Sequence, residues 1–298
     1  MAGPPPDGGG PAFLGSVGRM TKSAGPRARS YDPAKVRAAL AGQTEALRAA
    51  VHRLCADPGA ELLLAAPTRL GHWRVRELVA HLALQIGWVP RHLDQPLQGR
   101  AALTLTRWVA GVGSVAELLD AGTREHADGA FAGAPAEVAA EFDMAADELL
   151  ALLSGSEVAD EQRRFEIRLG SMTLSDMLVT RLVETVVHAD DLAEALGLAD
   201  FPHDRFALAS VCRLLADSFA EQVPGGAVEL RIPPYAVVQA VAGPRHTRGT
   251  PPNVVETGPL SWIRLATGRV DWASAVDSAA VTASGERSDL GGYLPVMG

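Results

Sequence analysis

Cysteine, lysine and aromatic residues are scarce in this chain, and so are long apolar runs. Cys55 and Cys212 are the only cysteines in 298 residues, far apart and without C-x-x-C spacing. That argues against a disulfide framework and a cysteine-based zinc site, and two buried thiols are preferred to a catalytic nucleophile. Aromatics are 5% of the chain, so cores must be built mainly from Ala, Leu and Val. Hydrophobic residues reach 47%, yet no run approaches the ~20 residues needed to cross a bilayer, which implies a soluble protein. Positive charge is also short: the formal net charge is −8, which argues against a nucleic-acid partner or an anionic membrane surface. The first residues, MAGPPPDGGGP, lack both the basic start and the apolar core of a signal peptide, and a cytoplasmic location is expected.

What is present divides by texture. Residues 1–30 are rich in Gly, Pro and Ser and are expected to be disordered, with Met20 as an alternative start. From there to residue 223 the periodicity is helical. Asp32-Pro33 opens a helix that runs to about Cys55, a second spans about Arg74–Trp88, and a third Ala136–Leu153. Further helices are expected over Thr173–Gly197 and Asp204–Gln222, whereas Leu103–Asp128 is ambiguous. Helices joined by short loops make a bundle the natural architecture. At Pro224-Gly225-Gly226 the pattern changes. Ala227–Ile232, Asn253–Thr257 and Val281–Ser284 read as strands, Leu260–Ala266 as a helix and Ser288–Leu294 as a closing turn of helix. Residues 224–298 are thus expected to form a small α+β domain.

The helix over Thr173–Gly197 is unusual. Leu174, Leu178, Val179, Leu182, Val183, Val186, Val187, Leu192 and Leu196 cover more than half its circumference, the mark of a helix buried on several sides. The remaining stripe carries Met177, Arg181, Glu184, His188 and Asp191. Glu184 and His188 are i,i+4 neighbours able to share one metal ion, although a solvated surface pair is the commoner outcome of that spacing alone. His81, on the flank of the second helix, is by itself more often structural or solvated than a ligand.

Two segments carry a family resemblance: WRVRELVAHL (73–82) and RLVETVVHADDL (181–192). They are similar to the mycothiol-dependent maleylpyruvate isomerase family, within the wider DinB-like four-helix metalloenzymes. RIPPYAVVQ (231–239), GPRHTRGTPPNVVET (243–257), WIRLATG (262–268) and ASGERSDL (283–290) resemble the sterol-carrier-like domain often appended to such bundles. The resemblance implies a multidomain fold, an all-α DinB-like four-helix bundle followed by a small α+β sterol-carrier-like domain, and a three-ligand site of His81, Glu184 and His188. Two His and one Glu suit Zn2+ and leave a fourth position open, as a catalytic site requires. The implied cofactors are a divalent metal and mycothiol or a related thiol. The implied partner is a small electrophile, and the reaction is isomerisation or thiol transfer. Composition fits such a source: Lys22 and Lys35 are the only lysines, and abundant Ala, Gly and Arg suggest a GC-rich genome such as an actinobacterium's.

Supporting roles rank lower. Asp191, three residues after His188, is either an acceptor for a ligand or cofactor group or a surface acid, with the second slightly preferred. Arg245 and Arg248, flanking His246, are candidates for holding a substrate carboxylate in bidentate fashion; arginines in a Gly/Pro loop are more often solvated. Trp73 and Trp88 are read as packing residues. The rival function is a non-enzymatic carrier of a lipid or small apolar ligand in the C-terminal domain. That domain is short for enclosing a sterol, and Arg231, Arg245, Arg248, Arg264 and Arg269 make it polar.

Overall fold

Side-chain caps decide where the long helices start. In the computed structural model, which describes residues 29–243 and 251–297 together with Met1 and Gly3, Asp32 accepts from the amides of Ala34 and Lys35 and opens α1 (Pro33–Cys55). Thr173 accepts from the Asp176 amide at the head of α8 (Leu174–Ala195). Asp204 accepts from Phe206 and Ala207 at the head of α9 (Arg205–Gln222). Each cap satisfies amides that have no partner within the helix. Between α1 and α8 lie α2 (Ala60–Leu64), α3 (Val75–Ile86), α4 (Trp88–Arg91), α5 (Leu105–Gly111), α6 (Ala116–Asp128) and α7 (Pro135–Ser154). The ambiguous stretch 103–128 is therefore α5, a 3₁₀ turn over Val112–Val115, and α6.

Four helices share one core. α1 packs on α7 and α8, and α3 packs on α6, α7 and α8. Leu40, Leu47 and Val51 of α1 share one buried cluster with Leu78, Leu82, Ile86, Phe142, Leu149 and Leu182, all fully buried. A short hairpin, β1 (Arg164–Ile167) with β2 (Gly170–Thr173), leads into α8, as the extended reading of 163–167 expected for its first strand. α8 is buried around nearly its whole girth, including Met177, Arg181, Glu184 and Asp191 of its polar stripe.

The C-terminal region is α+β. Its sheet has the order β4-β3-β5-β6, with β3 (Val228–Ile232), β4 (Ala236–Ala240), β5 (Val254–Thr257) and β6 (Val281–Ser284); β3 and β5 run parallel and the outer pairs antiparallel. Val228, Leu230 and Ile232 point inward as the alternation predicts, while Glu229 and Arg231 pair with each other outside. Two helices complete it, α10 (Pro259–Ala266) and α11 (Trp272–Asp277). The closing turn of helix expected at 288–294 is a 3₁₀ turn, Gly291–Tyr293, which paired glycines and Pro295 do not extend. α9 joins the halves, packing on α1, α5 and α8 and also on β4 and α10. Cys212 is buried and Cys55 only partly so, which corrects the expectation of two buried thiols. The expected disorder of 1–30 falls mostly outside the described residues; Arg29 pairs with Asp217 at 2.8 Å.

Candidate metal centre

α3 and α8 cross so that His81, from the first, meets Glu184 and His188, from the second. Glu184 Oε2 lies 3.5 Å from His81 Nε2 and 3.4 Å from His188 Nε2. One donor atom from each of the three lies within 4.8 Å of the others. Two donors on one tetrahedral ion, each at about 2.0–2.2 Å, stand roughly 3.3–3.5 Å apart. The His–Glu separations have that spacing, so the residues fit a divalent ion.

Both imidazoles are held from behind. His188 Nδ1 donates to Asp191 Oδ2 at 2.8 Å, and His81 Nδ1 lies 3.0 Å from the Thr123 hydroxyl on α6. Without an ion each Nε2 is a hydrogen-bond partner of Glu184; with one bound, a proton on Nδ1 would leave each Nε2 lone pair for the metal. Electrostatics differ at the two rings: burial would lower His188, but Asp191 and Glu184 raise it. Burial pushes His81 down to about 4, which favours the neutral ring. Burial would raise Glu184, but the two facing histidines hold it well below the usual carboxylate range. Burial would likewise raise Asp191, and His188 and Arg269 keep it ionised. Glu184, His81 and His188 converge on one point, with Asp191 behind the His188 ring.

A cavity of about 430 Å³ opens on this cluster. Leu70, Val112, Leu119, Val183, Val187 and Met297 give it apolar walls, and Asp120, Thr267 and Arg269 are its other polar lining. Trp73 is also on the wall, its ring 4.8 Å from that of His81 and its Nε1 donating to Asp120 Oδ1 at 2.7 Å. This corrects the packing assignment of Trp73. Trp88 does pack, stacked on His92.

The preference for a surface acid at Asp191 is also overturned. The residue is 0% exposed, because Arg69 and Arg269 close over it. Arg181 lies buried beside Gln85 and Thr180. Arg245, His246 and Arg248 lie outside the described residues. Thr123, Arg69, Asp120 and Arg269 escaped the sequence reading of the site. Each reaches it across tens of residues of chain, and nothing in the local pattern marks them.

Residues 52–193 match the family model described as the mycothiol maleylpyruvate isomerase N-terminal domain. Residues 204–296 match the model described as bacterial SCP ortholog. Among solved structures the chain is similar to the crystal structure of the mycothiol-dependent maleylpyruvate isomerase, at a TM-score of 0.57 and 16% identity over 87% of this chain and 95% of that one. A mutant of that isomerase with a histidine replaced by alanine gives 0.56 at the same identity and coverage. No curated protein matches. At this identity the structural likeness speaks for the fold alone. In this order, then, the chain resembles the N-terminal domain of mycothiol maleylpyruvate isomerase and a bacterial SCP-type domain, the order its sequence motifs imply.

Proposed function

We propose that this protein is a metal-dependent enzyme that uses a low-molecular-weight thiol, of the mycothiol kind, to isomerise or modify a small electrophile. The convergence of His81, Glu184 and His188 at a cavity carries the reading. The ligand set suits Zn2+ with one position left for an exogenous group. When bound, the ion lowers the pKa of a thiol and favours its thiolate at neutral pH. The chain supplies the rest. Asp191 and Thr123 orient the two imidazoles, and the apolar wall excludes water and so strengthens each charge interaction inside. A thiolate adding to an activated double bond leaves a single bond that can rotate. Elimination then regenerates the thiolate and gives the geometric isomer; displacement of a leaving group gives S-transfer instead. Arg245 and Arg248 are proposed to hold a substrate carboxylate.

In this reading α1, α3, α7 and α8 form the DinB-like bundle, residues 31–223 the metal-binding domain and residues 224–298 the sterol-carrier-like one, in a cytoplasmic protein. Among the described residues no helix is long and apolar enough to cross a membrane. The carrier alternative is weaker because five ionisable side chains, His81, Asp120, Glu184, His188 and Arg269, line the cavity, a poor surface for a lipid tail. The test is metal content after purification without chelators. Wild type should hold one divalent ion per chain, and His188→Ala and Glu184→Ala should hold little; a wild-type chain without stoichiometric metal refutes the enzyme reading. Loaded protein should then consume mycothiol-dependent substrates such as maleylpyruvate or a haloaromatic electrophile, which separates isomerase from transferase.

A further inference from the structure

Asp190 and Asp191 are consecutive on α8, and the C-terminal region grips each with its own arginine. Arg264, in the last turn of α10, binds Asp190 in bidentate fashion, Nε to Oδ2 at 2.9 Å and Nη2 to Oδ1 at 2.6 Å. Arg269 binds Asp191 the same way, Nη2 to Oδ2 at 3.0 Å and Nε to Oδ1 at 3.2 Å. Arg69 spans both carboxylates from the loop before α3, at 2.6 Å from Asp191 and 2.5 Å from Asp190.

The two grips differ in one respect. Asp191 Oδ2, the oxygen held by Arg269, is also the acceptor for His188 Nδ1. Asp190 touches none of the three candidate ligands among its hydrogen bonds. The local sequence explains how both arginines reach α8. Gly268, at φ +70°, ends α10 with paired bonds from the Gly268 amide to Leu265 and from the Arg269 amide to Arg264. This is a Schellman turn, which folds Arg269 back over Arg264.

We propose that Arg269 is a positioning residue of the metal centre. By fixing Asp191 it holds the His188 ring with Nε2 towards Glu184, so the C-terminal domain contributes to a site whose three ligands all lie in the N-terminal one. The proposal rests on the metal reading above. Without Arg269, Asp191 keeps Arg69 on Oδ1 but loses the bond that fixes Oδ2, the oxygen that holds His188, and that hold loosens. Carboxylates behind a ligating histidine commonly contribute 10–100-fold in metal affinity.

Arg264 provides an internal control. Zn2+ affinity is measured on the full chain by competition with a chelating indicator, together with the melting temperature of the metal-free protein. Arg269→Met should weaken Zn2+ about 10–100-fold, and Arg269→Lys, which keeps the charge but loses the bidentate fork, should recover part of that loss. Arg264→Met should remain within about threefold of wild type, on the same rule that only carboxylates behind a ligand act on affinity, although it too loses a buried ion pair and melts earlier. Equal Zn2+ losses in Arg264→Met and Arg269→Met would reduce the network to general stability and overturn the proposal. Wild-type affinity in Arg269→Met would do so as well. If Arg269→Met does not fold, Arg269→Lys against Arg264→Lys makes the same comparison. A wild-type chain that binds no Zn2+ would overturn the metal reading and this inference together, whereas retained affinity in the Arg269 variants would sink this inference alone.

Discussion

Gln43 offers its side-chain amide to His203 Nδ1 at 3.1 Å, which leaves the ring proton on Nε2, buried and without a partner among the described residues. Burial pushes His203 down to about 4, against the pull of Asp190 and Asp200 and with the help of Arg264. In the unfolded chain the same histidine titrates near 6.5. Above that pH both states are neutral and the residue adds no pH dependence. Between about 6.5 and 4 the unfolded chain takes up a proton that the folded one refuses, so stability is lost as pH falls; below about 4 both are protonated and the loss stops. Urea denaturation at pH 7, 6 and 5 should therefore show a stability that declines with acid. His203→Gln should flatten that decline relative to wild type, and identical slopes in the two proteins would refute the assignment. Comparing the two also removes the contribution of His81, which titrates in the same window. Residues of this kind were not legible beforehand, since nothing near His203, in the loop before α9, reveals Gln43 on α1.

Helices with their own punctuation were legible. α8 was expected over Thr173–Gly197 and forms over Leu174–Ala195, because both of its ends are written locally. Thr173 Oγ1 accepts from the Asp176 amide at 3.1 Å. At the other end Gly197, at φ +66°, bonds back to Glu194 while Leu198 bonds to Ala193, a second Schellman turn. Of the metal triad, spacing showed only that Glu184 and His188 project together; His81, on α3, joined them through the family resemblance. α2, α11 and β2 were not legible, being too short to show a period. α11 did carry a clue, Asp271 capping the Ser274 amide. Thr173→Ala should cost ~1 kcal/mol of stability, the usual worth of an N-cap. Gly197→Ala should cost ~1 kcal/mol through backbone strain at positive φ, since its Cβ would meet no neighbouring atom. Neither should change metal stoichiometry, because the ligands lie about three turns from Thr173 and more than two from Gly197. Urea unfolding with metal analysis tests both, and lost metal in either variant would mean that α8 frays as far as the site.

Across the molecule, the cavity belongs to no single region. Its wall takes Trp73 and His81 from the start of the bundle, Ala116 and Asp120 from α6, Glu184 and His188 from α8, and Thr267, Arg269 and Met297 from the C-terminal end. α9 adds a second connection by packing on bundle helices and on β4 and α10. Separating the halves would expose buried surface on both and leave Asp190 and Asp191 without their C-terminal arginines, so the two regions should unfold as one unit. A ligand that binds only the folded state at 100 times its Kd stabilises that state by about 2.7 kcal/mol, which lowers the unfolded population roughly 100-fold. In a single cooperative unit this gain reaches amides far from the ligand. Hydrogen exchange with and without Zn2+ measures it, read on amides that open only by global unfolding. Protection of Leu230 on β3 and Val255 on β5, which pair in the parallel register, should rise by the same factor as that of Leu182 and Val186 on α8. A rise confined to α8 and α3, with β3 and β5 unchanged, would show that the arginine grips and α9 are too weak to couple the two halves.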